Sequence, residues 1–160
     1  NSACFMIAEI AAWAAEQNKS LYQILKEIYK EFGFYKEGLI SLTKKGISGT
    51  EEIKNMMRKF REEPPTEILG SRIVEIKDYK IGISKDIISG KETEIKLPKS
   101  DVLQFFTEDG TKISVRPSGT EPKIKFYFGI KAELNDIADF DTVNDKLNNR
   151  LNELSKLFSE

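Results

Sequence analysis

The first third of the chain is patterned for helices. Phe5, Ile7, Ala8, Ala11, Ala12 and Ala15 recur near helical spacing, and only Glu9 and Glu16 interrupt the apolar cover, so a helix is predicted over residues 2–18. A helix this apolar on nearly every side expects partners on more than one face. Asn18-Lys19 marks a turn. Ser20, with Gln23 three residues on, spells a capping box. Leu21, Ile24, Leu25, Ile28 and Phe32 then form one stripe of a second helix, and Gly33 is a good stop. Residues 2–33 therefore read as a helical hairpin.

Beyond Gly33 the period changes. Phe34 to Thr43 holds Leu39, Ile40 and Leu42 in a short strand-like run. Thr50 is the expected cap of a third helix with Ile53, Met56, Met57 and Phe60 facing inward, ended by Pro64-Pro65. Arg72 to Lys77 alternates around Ile73 and Ile76, whereas residues 78–101 are polar and irregular and read as a long loop with weak strand content. Val102 to Thr107 and Thr111 to Arg116 flank Asp109-Gly110, a strong hairpin signal. Lys123 to Lys131 is a further strand. A last helix is expected from Thr142 to Phe158, with Val143, Leu147, Leu151, Leu154 and Phe158 on one face and Asp141 or Thr142 as its cap. The expected fold is α+β. A mostly antiparallel sheet of about four strands, with helices packed on one face, occupies residues 34–160, and the hairpin of residues 1–33 belongs to a preceding domain.

Composition narrows the function. The 160 residues carry 25 Lys and Arg against 26 Asp and Glu, a net charge of −1. That balance argues against nucleic acid as a partner. There is no histidine and one cysteine, Cys4, so no histidine base or phosphoryl carrier, no zinc cluster and no intrachain disulfide can form. Cys4 reads as a buried thiol in a reducing, cytoplasmic setting, and Trp13 as a packing residue. No run reaches the roughly 20 apolar residues of a membrane span, and the apolar stretch after Ala3 lacks a basic leader. A chain that opens without Met, almost directly in a helix, is expected to be an excised piece. The bare face of its first helix would then be a candidate surface for dimerisation.

One segment concentrates chemistry: Val115-Arg116-Pro117-Ser118-Gly119-Thr120-Glu121-Pro122-Lys123-Ile124-Lys125. Strand alternation sends Ile113 and Val115 to one face and Ser114 and Arg116 to the other. On the following strand Ile124, Phe126 and Phe128 take the core face, and Lys123, Lys125 and Tyr127 the opposite one. Arg116 and Lys125 are thus expected side by side next to the loop they flank. Ser118 and Thr120 offer hydroxyls, and Gly119 is expected at positive φ so that successive amides point into one concavity. Forked donation from arginine and a compact lysine charge suit a phosphate dianion. Glu121 is expected to turn away, toward a sugar hydroxyl or a neighbouring lysine. By spacing alone, an ordinary turn with capping hydroxyls is an equal reading.

The run Arg-Pro-Ser-Gly-Thr-Glu-Pro, followed by Lys-Ile-Lys-Phe-Tyr, resembles the phosphate-binding loop of the α-D-phosphohexomutase family, the phosphoglucomutases and phosphomannomutases. That family's signature is Arg-x-Ser-(Gly/Asn)-Thr with a basic residue on the next strand. Here the matching residues are Arg116, Ser118, Gly119, Thr120 and Lys125, the lysine standing where the family often has arginine. The stretch Tyr-Gln-Ile-Leu-Lys-Glu-Ile-Tyr-Lys-Glu-Phe-Gly and the following Phe-Tyr-Lys-Glu resemble the end of the family's third domain and its hinge. The resemblance implies four domains, with a phosphoserine in the first, a Mg²⁺-holding Asp-rich loop in the second and a sugar-selecting loop in the third. None of those motifs occurs in this sequence. The resemblance therefore implies a fourth domain plus the last helices of the third, without catalytic residues, metal ligands or cofactor of its own. The implied partners are a phosphorylated hexose and the other domains of the same chain. A stand-alone anion-binding or protein-interaction module is the alternative.

Overall fold

The computed structural model describes residues 2–44, 46 and 48–159. They fall into two compact units, residues 1–35 with 131–147, and residues 36–130 with 148–160. In chain order the elements are α1 (Ser2–Glu16), α2 (Leu21–Phe32), β1 (Phe34–Thr43), α3 (Gly49–Glu62), β2 (Glu67–Ile68), β3 (Ser71–Asp78), β4 (Ile83–Asp86), β5 (Glu92–Glu94), β6 (Leu103–Thr107), β7 (Lys112–Pro117), β8 (Lys123–Ala132) and α4 (Phe140–Ser159). None of the described helices is long and apolar enough to cross a membrane.

In the first unit the capping box forms as the sequence spells it. The Ser20 amide donates to Gln23 Oε1 at 2.7 Å, and the Gln23 amide donates to Ser20 Oγ at 3.2 Å, satisfying two amides that would otherwise lack partners at the start of α2. Aromatic rings fill this unit: Tyr29 stacks on Phe34 at 4.2 Å between centroids, and Phe34 on Phe140 at 4.9 Å. Helix α4 begins at Phe140, two residues earlier than its sequence signal, directly after a 3-10 turn at Ile137–Asp139. That turn is capped by Asp136, whose Oδ1 accepts from the Ala138 amide. Helix α1 buries only Ala14. Cys4 is therefore exposed rather than buried, and Trp13 is 52% exposed rather than packed. Both lie on a helix whose apolar surface is wider than the strip it buries.

The second unit is a sheet covered on one face. Its strand order is β1-β8-β7-β6-β3-β4-β5, with β2 paired to β3 outside that path, and every pairing from β2 to β8 is antiparallel. The class is α+β as expected, but the described residues form eight strands instead of about four. Part of the excess comes from residues 78–101, where the weak strand content expected of this polar segment takes the form of β4 and β5. These strands have almost no apolar alternation to announce them. The ladder they make with β3, Glu75 to Asp86 and Lys77 to Ser84, holds them instead, with glycines at positive φ, Gly82 and Gly90, at the two turns beside β4.

On the covered face Ile113, Val115, Ile124, Phe126 and Phe128 are buried to within 2%. Phe60 of α3 lies against Phe105 and Phe126, and Phe158 of α4 against Phe126 and Phe128. Each such side chain contributes about 1.5–3 kcal/mol of burial, enough to fix which face of β7 and β8 points inward. Helix α3 starts at Gly49, and its cap position is Ser48 rather than Thr50, without a side-chain capping bond. Its C-terminal half is tied down by Arg61, which pairs with Asp78 at 2.9 Å and with Asp101. Burial opposes the Arg61 charge, but these two carboxylates prevail and its pKa is raised.

The β6–β7 hairpin has its own electrostatic fastening. Asp109 Oδ1 accepts from Thr107 Oγ1 at 2.6 Å and from the Thr111 amide at 3.0 Å, and the other oxygen meets the Arg150 guanidinium of α4. Burial raises the Asp109 pKa, but the hydrogen bonds from Thr107 and Thr111 and the Arg150 charge together hold it below its ordinary 3.8. A carboxyl depressed on folding stabilises the fold above its unfolded pKa, and that contribution fades as the pH falls through its folded value. Asp109→Asn, which keeps the turn chemistry, should therefore cost about 1–2 kcal/mol at neutral pH. In urea unfolding the difference from the parent chain should shrink steadily below 3.8. A difference independent of pH would show that the charge at Asp109 is not what fastens the hairpin.

Candidate functional site

The β7–β8 register sets the site. Arg116 is paired directly with Lys125, Ser114 with Tyr127, and Lys112 with Gly129. Because Ile113, Val115, Ile124 and Phe126 occupy the covered face, these partners alternate onto the open one. The loop between the strands closes the arrangement. A cavity of about 340 Å³ is lined by Arg116, Pro117, Ser118, Gly119, Thr120, Lys125 and Tyr127. All five residues singled out by the sequence thus border one space, and Pro117 and Tyr127 complete its wall.

The loop is built differently from expectation in one respect. Gly119 does not take positive φ, unlike six other glycines of the chain. The amides of Thr120 and Glu121 still converge, but on Ser118 Oγ, at 3.4 and 3.3 Å. This is a hydroxyl-centred turn, in which the Ser118 side chain does the work that a left-handed glycine was expected to do. With its oxygen accepting from the backbone, the Ser118 O–H is left to donate outward. The Ser118 amide is used internally, donating to the Lys123 carbonyl at 2.7 Å. A Cβ on Gly119 would meet nothing within 4 Å, so glycine here leaves open space beside the cavity. Glu121 turns to Lys123 at 3.0 Å, the lysine alternative of its expected orientations, and does not line the cavity.

The electrostatics of the pair are distinctive. Of the chain's five arginines, Arg58, Arg61, Arg72 and Arg150 each lie within 4.0 Å of a carboxylate, and Arg116 does not among the described residues. Lys125 likewise forms no ion pair within that distance among the described residues. Two cations in direct cross-strand register repel each other. With no carboxylate to offset them, they leave a local positive potential at the mouth of a cavity that also offers two hydroxyls. Such a set can hold an anion with several acceptor oxygens. No group of three or more Asp, Glu or Cys residues among those described is close enough to hold a metal ion. Among the described residues there is thus no carboxylate cluster that fits the Mg²⁺ the resemblance implies for the family.

Fold and site together define an α+β domain that presents an anion-attracting loop on the open face of its sheet. Residues 68–141, which include the whole loop, match the sequence model described as the phosphoglucomutase/phosphomannomutase C-terminal domain. Among curated proteins, the phosphoglucomutase of Staphylococcus saprophyticus is 37% identical over 111 residues, 69% of this chain and 20% of the relative. That of Staphylococcus epidermidis is 32% identical over 146 residues, 91% and 26% respectively, and that of Staphylococcus aureus 35% over 143 residues, 89% and 25%. Residues 68–141 are thus similar to the C-terminal domain of the phosphoglucomutase/phosphomannomutase family, and most of the chain is similar to phosphoglucomutases. The chain spans 20–26% of the length of these relatives.

The unpaired cations have a consequence that needs no ligand. Lys125→Gln removes a cross-strand repulsion and no ion pair. In dilute, anion-poor buffer it should leave the domain as stable as the parent, or more stable by up to about 1 kcal/mol. The difference should vanish as salt screens the pair. Thermal unfolding at low and high ionic strength measures this, and a clear loss of stability at low salt would mean that Lys125 has a structural partner.

Proposed function

We propose that the cavity between Arg116 and Lys125 binds a phosphate group, and that this chain is the phosphate-gripping part of a longer phosphohexomutase. The observation that supports this most is the cross-strand pair of cations without a carboxylate, placed at a loop of hydroxyls. In this reading Arg116 takes two phosphate oxygens in its fork, Lys125 adds a point charge, and the Ser118 and Thr120 hydroxyls donate. Gly119 keeps the approach clear. The bond between Glu121 and Lys123 keeps a carboxylate out of the cradle.

The longer protein interconverts hexose 1-phosphate and hexose 6-phosphate through a bisphosphate, and this domain holds the phosphate that is not reacting. Binding energy at a remote group then positions the reacting end. The phosphoryl-carrying serine, the Mg²⁺ and the sugar-selecting loop belong to other parts of that protein, and residues 1–33 to the end of its preceding domain. The site of action is the cytoplasm. The relatives' printed function and the match across residues 68–141 support this reading.

Magnitudes limit what the chain does alone. Hydrogen bonds to charged groups contribute roughly 1.5–3 kcal/mol each. Three or four of them, less the entropy of capture, leave about 4 kcal/mol, a Kd on the order of 1 mM. Titration of the labelled chain with inorganic phosphate should shift the amides of residues 116–125 with a Kd on that order, and Arg116→Ala should abolish the shifts. Shifts that are absent, or the same in the variant, would reject the assignment. Hexose phosphate should bind without turning over.

A further inference from the structure

The phosphate cradle is not the end of the open space on this sheet face. A second cavity of about 300 Å³ lies beside it, lined by Glu37, Lys112, Ser114, Tyr127 and Gly129, among others. Tyr127 lines both cavities. Register explains the opening. Gly129 stands opposite Lys112 on β8, where any other residue would project a side chain from the open face. A Cβ there would come no closer than 3.6 Å to the Lys112 stem. The missing side chain leaves a notch in β8 between β1 and β7, the two strands that flank it.

The notch is chemically mixed. Glu37 offers only acceptors, Lys112 only donors, and Tyr127 an apolar face with a hydroxyl. None of these three has an ion pair or hydrogen bond within contact distance among the described residues. Ser114 accepts from Gln104 Nε2 at 3.0 Å, and Gln104 in turn accepts from Tyr79 at 2.9 Å. Its hydroxyl proton is therefore free to point outward. Separate donors and acceptors around an aromatic face suit a compact body bearing several hydroxyls.

Resting on the phosphate reading above, we infer that the second cavity is a subsite for the polyhydroxy body of the same ligand. The phosphate lies between Arg116 and Lys125, the carbon skeleton passes over Tyr127, and the hydroxyls reach Glu37, Lys112 and Ser114. The ligand class is a phosphorylated sugar or polyol, and Tyr127 and the notch at Gly129 add contacts to its body beside those of the sugar-selecting loop elsewhere in the longer protein. The domain then reads more of its ligand than the phosphate.

Calorimetric titration of the 160-residue chain with inorganic phosphate and with glucose 6-phosphate tests this, the readout being the ratio of the two dissociation constants. The expected ratio is about tenfold in favour of the sugar phosphate, since two or three extra hydrogen bonds are gained. Gly129→Val, a β-branched residue suited to a strand, fills the notch and should bring the ratio to about one. Glu37→Ala, on an exposed side chain, should lower it about threefold. Equal affinities in the parent chain, or a ratio untouched by both variants, overturn the subsite while leaving the phosphate cradle standing. Failure of inorganic phosphate to bind at all overturns both.

Discussion

The direct pairing of Arg116 with Lys125 across β7 and β8 is the constraint on which the candidate site depends. It sets two positive charges side by side, at a cost of up to about 1 kcal/mol for like charges in that position. The opposite face of the same strands more than offsets this. Ile113, Val115, Ile124 and Phe126 are buried to 1% or less, and each contributes about 1.5–3 kcal/mol. A slip of one residue in either strand would turn that strand's two apolar side chains outward and its cation into the core. The sheet therefore enforces the juxtaposition through its apolar side, and the polar side is left to carry a charge pattern that is unfavourable by itself. A site held by burial elsewhere can stay assembled without a ligand.

The same register organises the rest of the open face. Ser114 falls opposite Tyr127 and Lys112 opposite Gly129, so the Arg116–Lys125 cavity and the neighbouring notch are successive rungs of one ladder. Helix α3, fastened by Arg61 to Asp78 and Asp101, and the Phe158 end of α4 lie on the other side and leave these rungs uncovered. In the first unit, α1 buries only Ala14, an apolar element that the described residues leave largely bare.

Much of the candidate site could be read in the sequence because its determinants are local. Period-two alternation puts Arg116 and Lys125 on one face, the Asp109-Gly110 turn fixes the hairpin, and the Ser20–Gln23 box marks the start of α2. Features that depend on distant pairing were not legible. Strands β4 and β5 lack apolar alternation, and their ladder to β3 is what makes them strands. Only Gly82 and Gly90, turn residues at either end of β4, hinted at them. The notch at Gly129 needs β1 as the neighbour of β8, a pairing across most of the chain that no local pattern announces. Gly119 was misread for a different reason: Ser118 Oγ gathers the Thr120 and Glu121 amides, so the turn has no need of a left-handed residue. Tyr127 was placed on the correct face by alternation, but nothing in its own sequence context marks it as a wall shared by two cavities.

The most direct test of the central claim is a crystal structure of this chain grown or soaked in phosphate. The account predicts a phosphate ion between the Arg116 guanidinium and the Lys125 ammonium, within hydrogen-bond reach of the Ser118 and Thr120 hydroxyls. An empty cavity, with the two cationic side chains turned away from each other into solvent, would contradict it.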